Sequence, residues 1–247
     1  MLHFHESLPA NGSAARTFTL NAEVTGVLWN QPDATEPPPL VLLAHGGGQS
    51  AQAPSVRARA EQLIARGYDV VALDAPAHGG RPRSNAEDAA LVRMREAMGN
   101  PEAAGNAVAA FGEELSRRAV PEWIQLLDDL EQTGRREAHT AVGFWGLSLG
   151  AVIGFALLSV ETRVRAAVLG LVGDNLAGLA HAITTPIQFV LQWEDQLIGR
   201  DSALRLFDAI RSEDKTLHAN PGDHHEVPQH EHASAMAFFD RHLNSVH

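Results

Sequence analysis

Gly143-Phe-Trp-Gly-Leu-Ser-Leu-Gly-Ala151 sets one serine, Ser148, between Gly146 and Gly150. The apolar run His139-Thr-Ala-Val142 precedes it, and Leu149 to Val160 reads as a helix. G-x-S-x-G alone is a short pattern that chance can produce in a glycine-rich chain. In its bland reading it is a strand-to-helix turn whose serine caps the helix. In its chemical reading it is a strained turn that lifts a nucleophile clear of its neighbours. Glycine flanks the serine there because any larger side chain would collide with nearby backbone. The helix that follows brings N–H groups and a positive dipole end toward a developing negative charge.

A serine is a poor nucleophile until a base takes its proton, so the chemical reading requires a histidine and an orienting carboxylate further along. In α/β sheets, ligands bind outside the carboxyl ends of the strands, so the partners are expected just after later strands. Pro186-Ile-Gln-Phe-Val-Leu-Gln-Trp193 reads as a strand and runs directly into Glu194-Asp195-Gln-Leu-Ile198. Asp195 is the preferred acid, because Gln-Leu-Ile can pack back as the loop turns away; Glu194 is the alternative. Lys215 to Ala219 is the last strand, and Asn220-Pro-Gly-Asp-His-His-Glu-Val-Pro228 is the loop after it. His224 or His225 is the base, with His224 preferred because Pro-Gly-x-His puts it at the tip of the turn.

The same loop has a metal-site reading, since Asp223, His224, His225, Glu226, His230 and His232 lie within ten positions. His225-Glu-Val-Pro-Gln-His230 is one residue too long for H-E-x-x-H, and Pro228 breaks the continuous helix that motif needs. No metal and no cofactor are expected. Ala44-His-Gly-Gly-Gly-Gln49 follows the first buried strand. A tetrahedral intermediate needs two backbone N–H donors at its oxyanion. Leu149 is expected to supply one and Gly47 the other, with Gly48 as second choice. A phosphate-cradling loop is the competing reading, but neither G-x-x-x-x-G-K-[ST] nor G-x-G-x-x-G is present at this turn. His45 is expected to hold the turn by hydrogen bonding.

Around these motifs the chain alternates short apolar runs with longer amphipathic ones. Arg16 to Leu20 and Gly26 to Trp29 read as antiparallel strands. After Glu36-Pro-Pro-Pro39, Leu40 to Ala44 is apolar throughout, as is Asp69 to Leu73 after its first residue; strands covered on both faces read this way. Pro54 to Arg66 reads as a helix closed by Gly67. Pro121 to Gln132, Ser202 to Arg211 and Glu231 to Leu243 are further helices, and Thr140 to Trp145 and Arg165 to Leu171 further strands. The alternation implies βαβ units around a parallel sheet, in one α/β domain over 1–247 with helices on both faces. Residues 81–113 interrupt it with charge, alanine and glycine and are expected to form a small helical insertion or lid.

With 247 residues, 45% hydrophobic and 20% charged, the composition is that of an ordinary globular protein. The formal charge of −11 argues against nucleic acid and anionic membranes as partners, which need a basic footprint. There is no cysteine, so disulfides, thiolate metal sites and a cysteine nucleophile are excluded. The first residues carry no basic-then-apolar leader pattern, and apolar runs stop short of the ~18 residues of a membrane span, so the cytoplasm is the expected location.

Taken together, His45-Gly-Gly-Gly48, Leu73-Asp-Ala-Pro-Ala-His-Gly79, Gly146-Leu-Ser-Leu-Gly150, Gln192-Trp-Glu-Asp-Gln-Leu-Ile198 and Pro221-Gly-Asp-His224 resemble the α/β-hydrolase family in kind and order. The likeness covers about 200 residues. It implies a doubly wound, mostly parallel eight-stranded sheet with an antiparallel start, and Ser148, Asp195 and His224 as the triad. The compact length is most similar to small serine esterases and dienelactone-hydrolase-like members, although those hydrolases use cysteine where this chain has serine. The expected substrate is a small-molecule ester. A non-catalytic binding protein on the same fold, or thioesterase or peptidase chemistry with the same triad, are the alternatives.

Overall fold

The computed structural model describes residues 1–8, 14–31, 37–97, 101–134, 136–138 and 140–244. Of the positions named above, Glu36, His139 and residues 98–100 within the 81–113 segment lie outside these. Nine strands form one sheet: β1 Leu2–Leu8, β2 Ala14–Leu20, β3 Val24–Asn30, β4 Leu40–Ala44, β5 Asp69–Leu73, β6 Val142–Leu147, β7 Val164–Gly170, β8 Ile187–Gln192 and β9 Lys215–Asn220. Their spatial order is β1-β2-β3-β5-β4-β6-β7-β8-β9. The first three strands and the β3–β5 pair are antiparallel; β5 through β9 run parallel.

The expected eight strands become nine because β1 was not anticipated. Its signal is present: Leu2 and Phe4 are half-buried and pack on the core, while His3 and His5 between them are exposed. That period of two is the mark of a strand with one wet face. β6 also lies two residues later than expected, which brings its end against Ser148.

Among the described residues, seven α-helices flank the sheet: α1 Pro54–Ile64, α2 Asn85–Ala97, α3 Pro101–Gln132, α4 Leu149–Leu158, α5 Ala177–Ala180, α6 Arg200–Ala209 and α7 Gln229–Leu243. The expected start of a helix at Pro121 is corrected, since α3 begins at Pro101 and carries Pro121 in its interior. Proline favours a first turn because its missing N–H is idle there, but a long, packed helix can span one lost bond. Residues 81–113 are helical where described, as expected. They contain α2 and the first part of α3, which continues into the wall of the core at Leu115, Trp123, Leu126 and Leu130.

Two apolar layers hold the sheet. Val56, Ala60 and Leu63 of α1 and Ala235, Phe238 and Phe239 of α7 cover one face, against Val41, Leu43 and Trp145. α3, α4 and α6 cover the other, against Leu42, Phe144 and Phe189. α4, Leu-Gly-Ala-Val-Ile-Gly-Phe-Ala-Leu-Leu, is apolar on all sides and nearly all buried, as a helix sandwiched inside a core must be. α1 ends as its sequence implies: Gly67 has φ +91°, and the Gly67 and Tyr68 N–H groups bond back to Ile64 and Leu63 carbonyls at 2.9 and 3.2 Å. Among the described residues, no helix is long and apolar enough to cross a membrane.

β4 lies between β5 and β6, and the chain winds to β5 on one side and then to β6 on the other. That reversal is the switch point where α/β sheets open a crevice beyond their strand ends. Ala44 pairs with Gly146 there, so the glycine turn after β4 and the serine turn after β6 emerge side by side. A Cβ on Gly146 would lie 2.5 Å from the Gly150 carbonyl carbon and oxygen, and one on Gly150 would lie 2.9 Å from the Ala44 carbonyl oxygen. Gly146→Ala should therefore force backbone apart and cost about 1–3 kcal/mol, lowering Tm by several degrees. Gly178→Ala, where nothing lies within 4 Å of the added carbon, should leave Tm nearly unchanged in the same melting experiment.

Candidate active site

Ser148 stands at φ +55°, ψ −120°, a conformation costly for any residue with a Cβ. Its N–H donates to the Gly170 carbonyl at 3.0 Å, so the turn is anchored to β7. Although Ser148 is the residue before α4, its side chain makes no capping bond. The hydroxyl instead lies 2.9 Å from His224 Nε2. The capping reading of this serine is thereby corrected.

His224 Nδ1 lies 2.7 Å from Asp195 Oδ2. A carboxylate can only accept, so Nδ1 carries the proton and Nε2 is left as acceptor for the Ser148 O–H. The other carboxylate oxygen, Oδ1, accepts from the Leu197 and Ile198 N–H groups at 2.8 and 2.9 Å. Burial pushes the Asp195 pKa up, but the His224 hydrogen bond and the two backbone donors outweigh it and hold the carboxyl below its ordinary value. The side chains of Asp195 and His224 are 2% and 8% exposed, dry enough for this pair to be strongly oriented.

The alternatives sort by geometry. Glu194 faces away from His224: its carboxylate accepts from the Gly222 N–H at 2.6 Å, and its own N–H donates to the Gly222 carbonyl at 3.2 Å. With Gln192 Nε2 donating to the Pro221 carbonyl at 3.2 Å, it pins the turn that carries His224. Gly222 permits that turn with φ +106°. His225 is exposed, with its ring edge-on to His224 at 5.2 Å, and does not meet Ser148. The remaining candidates of the metal reading spread apart: His230 is exposed and His232 lies against Trp145.

On the other side of the crevice, Gly47 and Gly48 are exposed, and Gly48 has φ +74°. His45 is buried beneath them. The Ala75 N–H donates to its Nε2 at 2.9 Å, so Nδ1 bears the proton and donates to the Gly46 carbonyl at 2.8 Å. Gly46 C=O and Gly47 N–H share one planar trans peptide, so holding the carbonyl also aims the Gly47 N–H the opposite way. Burial is the main reason the His45 pKa falls to about 4, which keeps the ring neutral.

The loop after β5 supports this turn in ways its sequence did not announce. Asp74 Oδ1 accepts from the Ala51 N–H at 2.6 Å, and Oδ2 accepts from the Thr25 hydroxyl. Gly79, at φ +60°, packs so closely on the Asp74 carboxylate that a Cβ would overlap it. Arg81 donates to the Asp74 carbonyl at 2.9 Å and to both Glu122 oxygens at 2.8 and 2.6 Å, tying the loop to α3. The spacing Asp74-x-x-x-x-Gly79 was the available hint.

No family model matches the chain, and no curated protein matches it in sequence. Solved structures do. A cold-adapted esterase from an Arctic intertidal metagenomic library, in a PEG-bound complex, superposes with a TM-score of 0.78 at 28% identity, over 96% of this chain and 97% of that one. The chain has the α/β-hydrolase fold. Acetyl xylan esterase 1 from Thermoanaerobacterium (TM-score 0.70, 16% identity, 96% and 86% covered) and the Pyrococcus horikoshii acylaminoacyl peptidase (0.69, 15%, 96% and 43%) share the fold alone. In α/β-hydrolase terms, Ser148, Asp195 and His224 lie just beyond β6, β8 and β9, at the carboxyl edge of the sheet.

His45 makes stability depend on pH in a defined window. The unfolded chain takes up a proton there near pH 6.5, the folded chain only near pH 4. The contribution is complete above pH 6.5 and is lost as pH falls toward 4. Urea unfolding at pH 7.5 and 5.0 should show His45→Gln losing less stability than wild type over that interval, by about 2 kcal/mol.

Proposed function

We propose that the chain is a serine hydrolase that cleaves carboxylic esters of small or short-chain substrates through an acyl-enzyme. The observation that carries this reading is the unbroken hydrogen-bond line from Ser148 Oγ through His224 to Asp195, at 2.9 and 2.7 Å. Esterases among the structural neighbours support the bond class, and the one at 28% identity matches over nearly the whole of both chains.

In this mechanism Ser148 Oγ attacks the ester carbonyl as His224 Nε2 takes its proton. The positive imidazolium is stabilised by Asp195, whose carboxylate is already committed to Nδ1. The oxyanion is met by the Leu149 N–H at the start of α4, where helix geometry leaves the first N–H groups without intrahelical partners, and by the Gly47 N–H. His224 then protonates the leaving alcohol. Water, deprotonated by the same ring, attacks the acyl-enzyme and restores Ser148. A small acyl group is favoured because the β7-to-β8 connection holds only a three-residue 3-10 turn and the four-residue α5, too little chain to build a long acyl channel.

Incubation with a fluorophosphonate followed by peptide mapping should place the label on Ser148, and Ser148→Ala should abolish both labelling and turnover of p-nitrophenyl acetate. An unlabelled Ser148 in folded protein would falsify the proposal. The adjacent carboxylates should separate cleanly. Asp195→Asn should lower kcat by about 10²–10⁴, since an amide cannot hold the same tautomer or stabilise the cation. Glu194→Gln, which keeps an acceptor for the Gly222 N–H, should cost less than about tenfold. p-Nitrophenyl esters of increasing length should lose kcat/KM beyond short acyl chains.

A further inference from the structure

We propose that Arg59 of α1, Trp145 of β6 and His232 of α7 form a binding site for a small monovalent anion of the halide class, on the face of the sheet opposite α4. Arg59 is 7% exposed. Its Nε–H donates to the Ser55 carbonyl at 3.2 Å, within its own helix. A guanidinium has five N–H donors and no acceptor, and among the described residues the other four meet no protein partner. The other arginines of this stretch are treated differently: Arg57 lies 3.6 Å from Glu61, and Arg66 pairs with Asp240. No described carboxylate pairs with Arg59, although the chain carries 30 acidic residues and a net charge of −11.

Two aromatic rings with unpartnered nitrogens lie beside it. The Arg59 guanidinium carbon lies 5.2 Å from the centre of the Trp145 ring, and the His232 ring stands edge-on to that indole at 5.6 Å and 88°. Trp145 Nε1 and His232 Nδ1 are both buried without a hydrogen-bond partner. An indole N–H can only donate, and a neutral imidazole with its proton on Nδ1 donates there as well. Burial lowers the Arg59 pKa only to about 10, so the charge stays at neutral pH. Burial and then Arg59 lower that of His232, which keeps this ring neutral beside the cation.

The cluster is thus a largely buried positive charge beside two unpartnered ring nitrogens, and the described chain gives it one carbonyl acceptor, that of Ser55, and no carboxylate. Cation–π attraction to Trp145 offsets part of the cost of that charge. A water molecule would meet some of the donors but leave the charge standing, whereas a halide meets both needs at once. Val56, Ala60, Ala235 and Phe239 belong to the same apolar layer as Trp145.

The test exchanges gluconate for chloride at constant ionic strength while following thermal unfolding. Wild-type Tm should rise by a few degrees for each tenfold increase in chloride above its Kd. Arg59→Met should show no chloride response and, in chloride-free buffer, melt no lower than wild type, because an unpaired buried charge has been removed. A crystal of the wild-type protein grown in bromide should show an anomalous peak within hydrogen-bonding distance of Arg59. An equal chloride response in Arg59→Met, or water alone in the bromide crystal, overturns the proposal; the bromide result stands even if the variant does not fold.

Discussion

The carboxyl edge of the sheet rests on a close approach of backbone against backbone at Gly146, Gly150 and Ala44. Two glycines let α4 begin directly above the ends of β4 and β6, with no side chain between them. Ser148 is the residue in the middle of that contact, so its φ of +55° is imposed by packing on both sides. Apolar burial along the whole of α4 supplies the energy that holds the turn in so costly a shape. Everything else at the carboxyl edge is arranged around this fixed point.

The arrangement divides its work between neighbours in sequence. Asp195 faces the His224 ring while Glu194, one residue earlier, grips the backbone of the turn beneath it. His45 holds a peptide plane while the glycines after it stay bare and exposed. Asp74, Arg81 and Glu122 extend that support to α3. Residues that touch the crevice are few, and each is backed by a second group whose job is orientation.

Much of this was legible from the chain alone, for a physical reason. The elements that run through the core, such as Leu40–Ala44 and α4, advertise themselves by unbroken apolarity, and loops at their ends carry glycine, histidine and carboxylate in an order set by the fold. Ser148, Asp195 and His224 could be brought together on paper because each immediately follows a strand. β1 was harder, since half of its alternating residues are histidine and the pattern is only a few residues long. Pro121 misled because a proline at a helix start and a proline inside a long helix look alike until the packing of Leu115 and Trp123 is known. Arg59 was invisible as an anomaly: on an amphipathic helix an arginine is expected to find water or an acid, and only three dimensions show it largely buried with no described carboxylate beside it.

The bond from the Ser148 N–H to the Gly170 carbonyl makes the serine turn a continuation of the sheet rather than an appendage of a loop. Backbone amides inside a central parallel ladder open only when the ladder itself comes apart. Ser148 therefore shares the lifetime of the most protected part of the molecule. Opening elsewhere in the chain leaves it standing, and heat displaces it only by dismantling β6 and β7 together.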